Sequence, residues 1–138
     1  MIVFKHIDKT EGSLIEYGTS KSEIPFELIE AASAVIEKAY PIAFKGTGLQ
    51  QYLEDNKTDK LYITGFNMEF CVLFTSVAAA DRGYEVVVIE DLCGTVNDEN
   101  TYEMEGLDIV DFTGSVIDWS GVIENQYLEE SKFSNLKL

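Results

Sequence analysis

The stretch that most limits what this chain can fold into is residues 60–90, where a β-prone run, a tight turn, a helix-prone run and a second β-prone run follow without a break. Leu61, Tyr62, Ile63 and Thr64 form the first run, and Gly65 ends it. Residues 70–82 contain neither Pro nor Gly, and Ala78, Ala79 and Ala80 favour helix. Gly83 stands where a helix C-cap is expected. Residues 84–89 are β-branched enough for a buried parallel strand. The spacing predicts a βαβ unit with a right-handed crossover.

Cys71 falls in the first turn of that helix, just past the carboxyl end of a strand, where open α/β sheets bind ligands. The positive end of the helix dipole favours the thiolate, the form that acts as nucleophile. Free cysteines are also common as small core residues. Spacing alone leaves both roles open.

The rest of the chain sets the frame. At 138 residues, 46% of them hydrophobic, it is long enough for one domain with a real core, and residues 1–138 are read as a single domain. No apolar run reaches the roughly 18 residues of a membrane span. The opening MIVFKHID has no basic region and no cleavage site, so a cytoplasmic protein is expected. A formal net charge of −15 argues against nucleic acid and anionic membranes as partners. Two cysteines do not make a disulfide framework, and a single histidine, His6, cannot build a multi-histidine metal site.

Taken in order, residues 2–7 read as a strand and residues 8–22 as a surface loop with a hairpin around residues 14–17. Residues 25–40 are ambiguous. Phe26, Leu28, Ile29, Ala32, Val35, Ile36 and Ala39 recur at helical spacing, yet residues 33–36 equally open a short strand. Residues 41–48 are loop, and Thr47 is a plausible cap for a helix over residues 49–56. After the central unit, residues 91–95 are expected as loop. Asn97 or Asp98 then caps a helix through Met104 towards Val110. Residues 114–119 read as a strand, Ser120 as the cap of a final short helix, and residues 131–138 as a loose tail or a partner-contacting arm. Strands alternating with helices make a doubly wound α/β sheet.

The run TGFNMEFCVLFTSVAAADRGYEVVVIEDLCGT resembles the core of the isochorismatase-like cysteine hydrolases, related to nicotinamidases and isochorismatases. Gly65, Glu69, Cys71, Val72, Thr75, Gly83, Tyr84 and Asp91 fit that family's pattern. Upstream, Lys38, Ala43, Phe44, Thr47 and Leu49 fit its lysine segment. The resemblance implies a Rossmann-like, mostly parallel sheet and a small-molecule substrate. It implies Cys71 as the nucleophile on a small amide or a related C–N or C–O bond, with Lys38 beside the thiolate. It implies an oxyanion hole from the backbone N–H groups of Asn67 and Cys71, and a cis peptide between Phe66 and Asn67. Glu69 would support the turn. It also resolves residues 25–40 into a short helix near residues 26–31 and a strand over residues 34–38.

The chain departs from the family at its start. The family's catalytic Asp lies on a first strand, and MIVFKHID looks instead like the second. In the family's strand order, 3-2-1-4-5-6, the absent strand is central, so about five strands are expected. Asp8 is the nearest substitute base, and His6 is a base by type. The alternative function is therefore an impaired or inactive member that works by binding or assembly. The family's His-rich metal segment is absent too, so no metal or other cofactor is expected. A dinucleotide-binding module lacks its Gly-x-Gly-x-x-Gly. The nearly all-apolar run over residues 71–80 predicts a homo-oligomer.

Overall fold

The computed structural model describes residues 1–132. The chain divides into two compact units, Met1–Asn56 and a second that starts at Lys57. Five strands and four α-helices alternate among the described residues, and every strand ladder is parallel. This is the mixed α/β architecture that the sequence pattern implies. The strands form two sheets, one in each unit.

In the first unit β1 (Ile2–His6) pairs with β2 (Ala34–Lys38), in a register that runs from Ile2 opposite Ala34 to His6 opposite Lys38. The two strands thus end level. Only six residues of the helical periodicity become helix, α1 (Phe26–Ala31), and the chain is extended again at Ala32. Residues 34–38 are strand, as the family resemblance implies. Val35 and Ile36 suit a pleated surface, and β1 supplies the backbone partners. The hairpin expected around residues 14–17 does not form. Instead Asp8 makes an isolated parallel bridge with Glu16, and Tyr17 N–H donates to the Asp8 carbonyl at 2.7 Å. In α2 (Leu49–Asp55) Leu49 and Leu53 are buried, one turn apart. Gly48 holds the backbone cap position, but Thr47 Oγ1 still accepts from Leu49 N–H at 3.2 Å.

In the second unit β3 (Lys60–Phe66) leads through one tight turn into α3 (Leu73–Asp81), and β4 (Glu85–Gly94) lies beside β3. The helix stops as Gly83 predicts. Gly83 adopts φ 88°, its N–H donates to the Ala80 carbonyl, and Tyr84 N–H reaches back to the Ala79 carbonyl. These paired bonds satisfy carbonyls that the helix end would otherwise leave open. Five successive residues of β4, Val86 to Glu90, are buried, as in a strand covered on both faces. β4 is longer than expected: residues 91–94, read as loop, continue it. Ile63 faces Val88 but Gly65 faces Cys93, so β4 bulges between those pairs.

The last third differs most from its sequence reading. The helix expected from residue 98 is only a short 3₁₀ turn, Glu99–Tyr102, capped by Asp98. Glu103 at φ 53° and Gly106 at φ 77° end it. Residues 114–119, expected as a strand, belong to α4 (Ile109–Trp119), whose cap Asp108 accepts from Val110 and Asp111 N–H at 3.1 Å each. The strand comes later, as β5 (Glu124–Gln126) beside β4, where a helix from Ser120 was expected. Ile109, Thr113 and Ile117, spaced by four, are the buried row of α4. Burial of that row decides in favour of helix over the β propensity of Val116, Ile117 and Trp119. Of the expected tail, Ser131 is buried, its hydroxyl donating to the Leu128 carbonyl at 2.7 Å. Residues 133–138 lie outside the described residues.

Gly114 shows why a glycine interrupts α4. An added Cβ would overlap Glu90 Oε2 and stand 2.6 Å from Asn125 Nδ2. Glu90 cannot swing aside freely, because it is buried and accepts from the Asn125 amide and, at 3.1 Å, from Tyr127 OH. Gly114→Ala therefore trades a helix-propensity gain of about 1 kcal/mol against overpacking of about 1–3 kcal/mol. A net loss is expected in urea unfolding, and a gain of about 1 kcal/mol would show that the glycine is not there to make room.

Candidate active site

Two chemical groupings stand at the carboxyl ends of parallel strands, one in each unit. In the first, the level ends of β1 and β2 bring His6 and Lys38 together. Lys38 is 6% exposed, and its ammonium donates to the carbonyl of Tyr40 at 3.0 Å and of Pro41 at 3.5 Å. It lies 3.4 Å from His6 Nδ1. An ammonium has only donors, so Nδ1 is the acceptor and the proton of the neutral ring sits on Nε2. Burial first, and then the Lys38 charge, lower the His6 pKa, against a weaker pull upward from Asp8. Asp8 follows the strand, half-buried. Ser13 Oγ donates to it at 2.6 Å and Thr10 N–H at 2.9 Å, which holds its pKa at about 2. A carboxylate so held is a weak proton acceptor.

In the second unit β3 ends at Gly65, with φ 126°, and Phe66, and the Phe66–Asn67 peptide is cis, at the bond the family resemblance implies. The Asn67 carbonyl then accepts from Phe70 and Val72 N–H, each at 3.2 Å. The second of these spans five residues, the wider turn of a π-helix, which runs over Met68–Val72. Cys71 sits in this turn, half-buried and outside any disulfide, directly before α3.

Glu69 anchors the turn. Its Oε1 accepts from Thr95 Oγ1 and Asn97 Nδ2, each at 2.7 Å, and from Tyr102 OH at 3.4 Å. Its Oε2 is buried without a hydrogen-bond partner among the described residues. Glu69 thus does what the resemblance implies, but its donors come from beyond β4. Sequence reading singled out Asn97 only as a helix cap and gave Thr95 and Tyr102 no role. No local pattern connects residues so far apart. The other cysteine is chemically quiet. Burial lifts the Cys93 thiol to about 11, and it donates to the Ile89 carbonyl at 3.2 Å.

Among the described residues no group of three or more His, Cys, Asp or Glu is arranged to hold a metal ion. None of their helices is long and apolar enough to cross a membrane.

A parallel α/β fold with a cysteine at the mouth of a strand–turn–helix defines a broad class, and comparison narrows it. Residues 9–120 match the isochorismatase domain family, so the chain belongs to that family. A putative isochorismatase from Burkholderia xenovorans superposes with a TM-score of 0.81 at 24% identity, over 94% of this chain and 62% of that one. The Staphylococcus aureus nicotinamidase gives a TM-score of 0.69 at 20% identity, over 91% and 74%. In sequence, a secreted isochorismatase effector of Verticillium dahliae is 37% identical over 59% of this chain and 43% of its own length. The Saccharomyces cerevisiae nicotinamidase is 38% identical over 41% and 26%. The matched stretches span less than half the length of these two relatives.

His6 is the only histidine, so its ring protons titrate without overlap. By NMR its midpoint should lie below 6.5, and Lys38→Met should move it part of the way back, since burial remains. The folded ring resists a proton that the unfolded ring accepts. Stability from this group is therefore whole above pH 6.5 and falls as pH drops through the lowered midpoint. A midpoint at or above 6.5 would contradict the Lys38 contact.

Proposed function

We propose that the chain is a cysteine hydrolase of small amides, or of related C–N or C–O bonds, with Cys71 as its nucleophile. The observation that carries this reading is the position of Cys71, in the turn between β3 and α3 and within the family's matched segment. Relatives named nicotinamidase and N-carbamoylsarcosine amidase support an amide as substrate.

In this mechanism the Cys71 thiolate attacks the carbonyl carbon, a C–S bond forms and charge moves to oxygen. The N–H groups of Asn67 and Cys71 receive that charge. Collapse breaks the C–N bond, and the amine leaves with the proton the thiol gave up. Water then cleaves the thioester and restores the thiol. The match to the family's lysine segment supports Lys38 as the cation of the reaction, and within its own unit it is held by two carbonyls and neutral His6.

Ammonia release from a panel of small primary amides, nicotinamide among them, tests the assignment. Cys71→Ala should abolish release, and Lys38→Met should lower it by at least about 10²-fold, the scale on which such groups contribute. Asp8→Asn should change it less than about threefold, because a carboxylate with a pKa of about 2 is a weak base. Ammonia release retained by Cys71→Ala would overturn the nucleophile.

A homo-oligomer belongs to the same proposal. Phe70, Phe74 and Val77, at i, i+4 and i+7, are 39%, 46% and 52% exposed in the single chain. A second copy covering them would give a sedimenting species larger than 15.5 kDa at micromolar concentration. Monomer alone would refute it.

A further inference from the structure

α4 is apolar on two sides. One row, Ile109, Thr113 and Ile117, is buried. On the other side Phe112, Val116 and Trp119, at i, i+4 and i+7, are 54%, 50% and 90% exposed. A large indole held in water at the end of such a row is the kind of exposed apolar stripe that marks a contact surface. Asp111 and Asp118, seven residues apart, form an exposed acidic row alongside it.

The surrounding charge selects the partner. Between Gly83 and Ser131 there is no Lys, Arg or His, and there are 13 Asp or Glu. The chain's formal net charge of −15 is thus concentrated in this part of the second unit. Nucleic acid and anionic lipid are repelled from such a face. A second copy would set the same acidic row against its own image. The area argues the same way: three side chains of these sizes offer roughly 300–400 Å², against about 800 Å² per partner in a stable globular interface. A single helix laying one apolar face on α4 needs no more than this.

We propose that the outer face of α4 is a docking site for a cationic amphipathic helix of another protein. The partner's apolar row covers Phe112, Val116 and Trp119, and its lysine or arginine row faces Asp111 and Asp118. The apolar contact supplies most of the affinity, and the charges set orientation and association rate. The proposed face shares no residue with the hydrolase site proposed around Cys71.

Trp119 is the only tryptophan, so its emission reports this face alone. The probe is an 18-residue leucine–lysine peptide patterned as an amphipathic helix, titrated into the full chain at 150 mM salt. A saturable blue shift with one peptide per chain is expected at micromolar concentration. Val116→Asp, which keeps the acidic character and removes the apolar row, should weaken binding at least tenfold and leave ammonia release unchanged. Should that variant fail to fold by circular dichroism, the Asp111→Lys, Asp118→Lys double variant serves instead, with the same tenfold loss expected. Several results would overturn the proposal: no shift, equal affinity for an 18-residue polylysine, or affinity unchanged by the folded variant. So would a blue shift produced by raising the protein concentration alone, which would assign the face to a second copy, or by zwitterionic vesicles, which would assign it to lipid.

Discussion

Two neighbouring parallel strands cannot be joined by a hairpin; the chain must travel back to the edge from which it started. In the second unit residues 67–84 make that return between β3 and β4, and both ends of the journey are tightly specified. At the near end the Asn67 carbonyl gathers two N–H groups into a wide turn, and Glu69 ties it to Thr95, Asn97 and Tyr102. At the far end Gly83 takes the left-handed conformation that lets the last carbonyls of α3 be satisfied. Cys71 sits where the chain has left the sheet but has not yet settled into α3. Its position follows from the crossover itself.

The buried and half-buried charges are held by unlike means. Lys38 is surrounded by carbonyl oxygens and by an imidazole that burial and the ammonium together keep neutral. Glu69 and Glu90 each collect side-chain donors, from the loop after β4 in one case and from β5 and Tyr127 in the other. A buried carboxylate stripped of its donors would cost several kcal/mol. These networks therefore fix loops and strand ends whose own backbone patterns do not fix them.

What the sequence discloses follows the reach of each signal. The stop at Gly83 and the cap at Asp98 are local, made by one residue and the next turn of backbone. The strand over residues 34–38 is masked by helical periodicity, and only likeness to a family recovers it. Residues 114–119 read as a strand because Gly114 breaks a helical pattern that Val116, Ile117 and Trp119 already weaken. The reason for that glycine is Glu90, on a different strand, and no window along the chain contains both. Glu69 shows the same limit: the acidic residue is legible, while its donors lie 26 to 33 positions away.

The lone tryptophan has an optical consequence for work on this protein. Trp119 is 90% exposed in the native state, so unfolding leaves its surroundings almost as wet as before. Indole emission should be nearly blind to denaturation. Folding is better followed through the peptide backbone by far-ultraviolet circular dichroism, and a change in emission colour then speaks of contact rather than collapse.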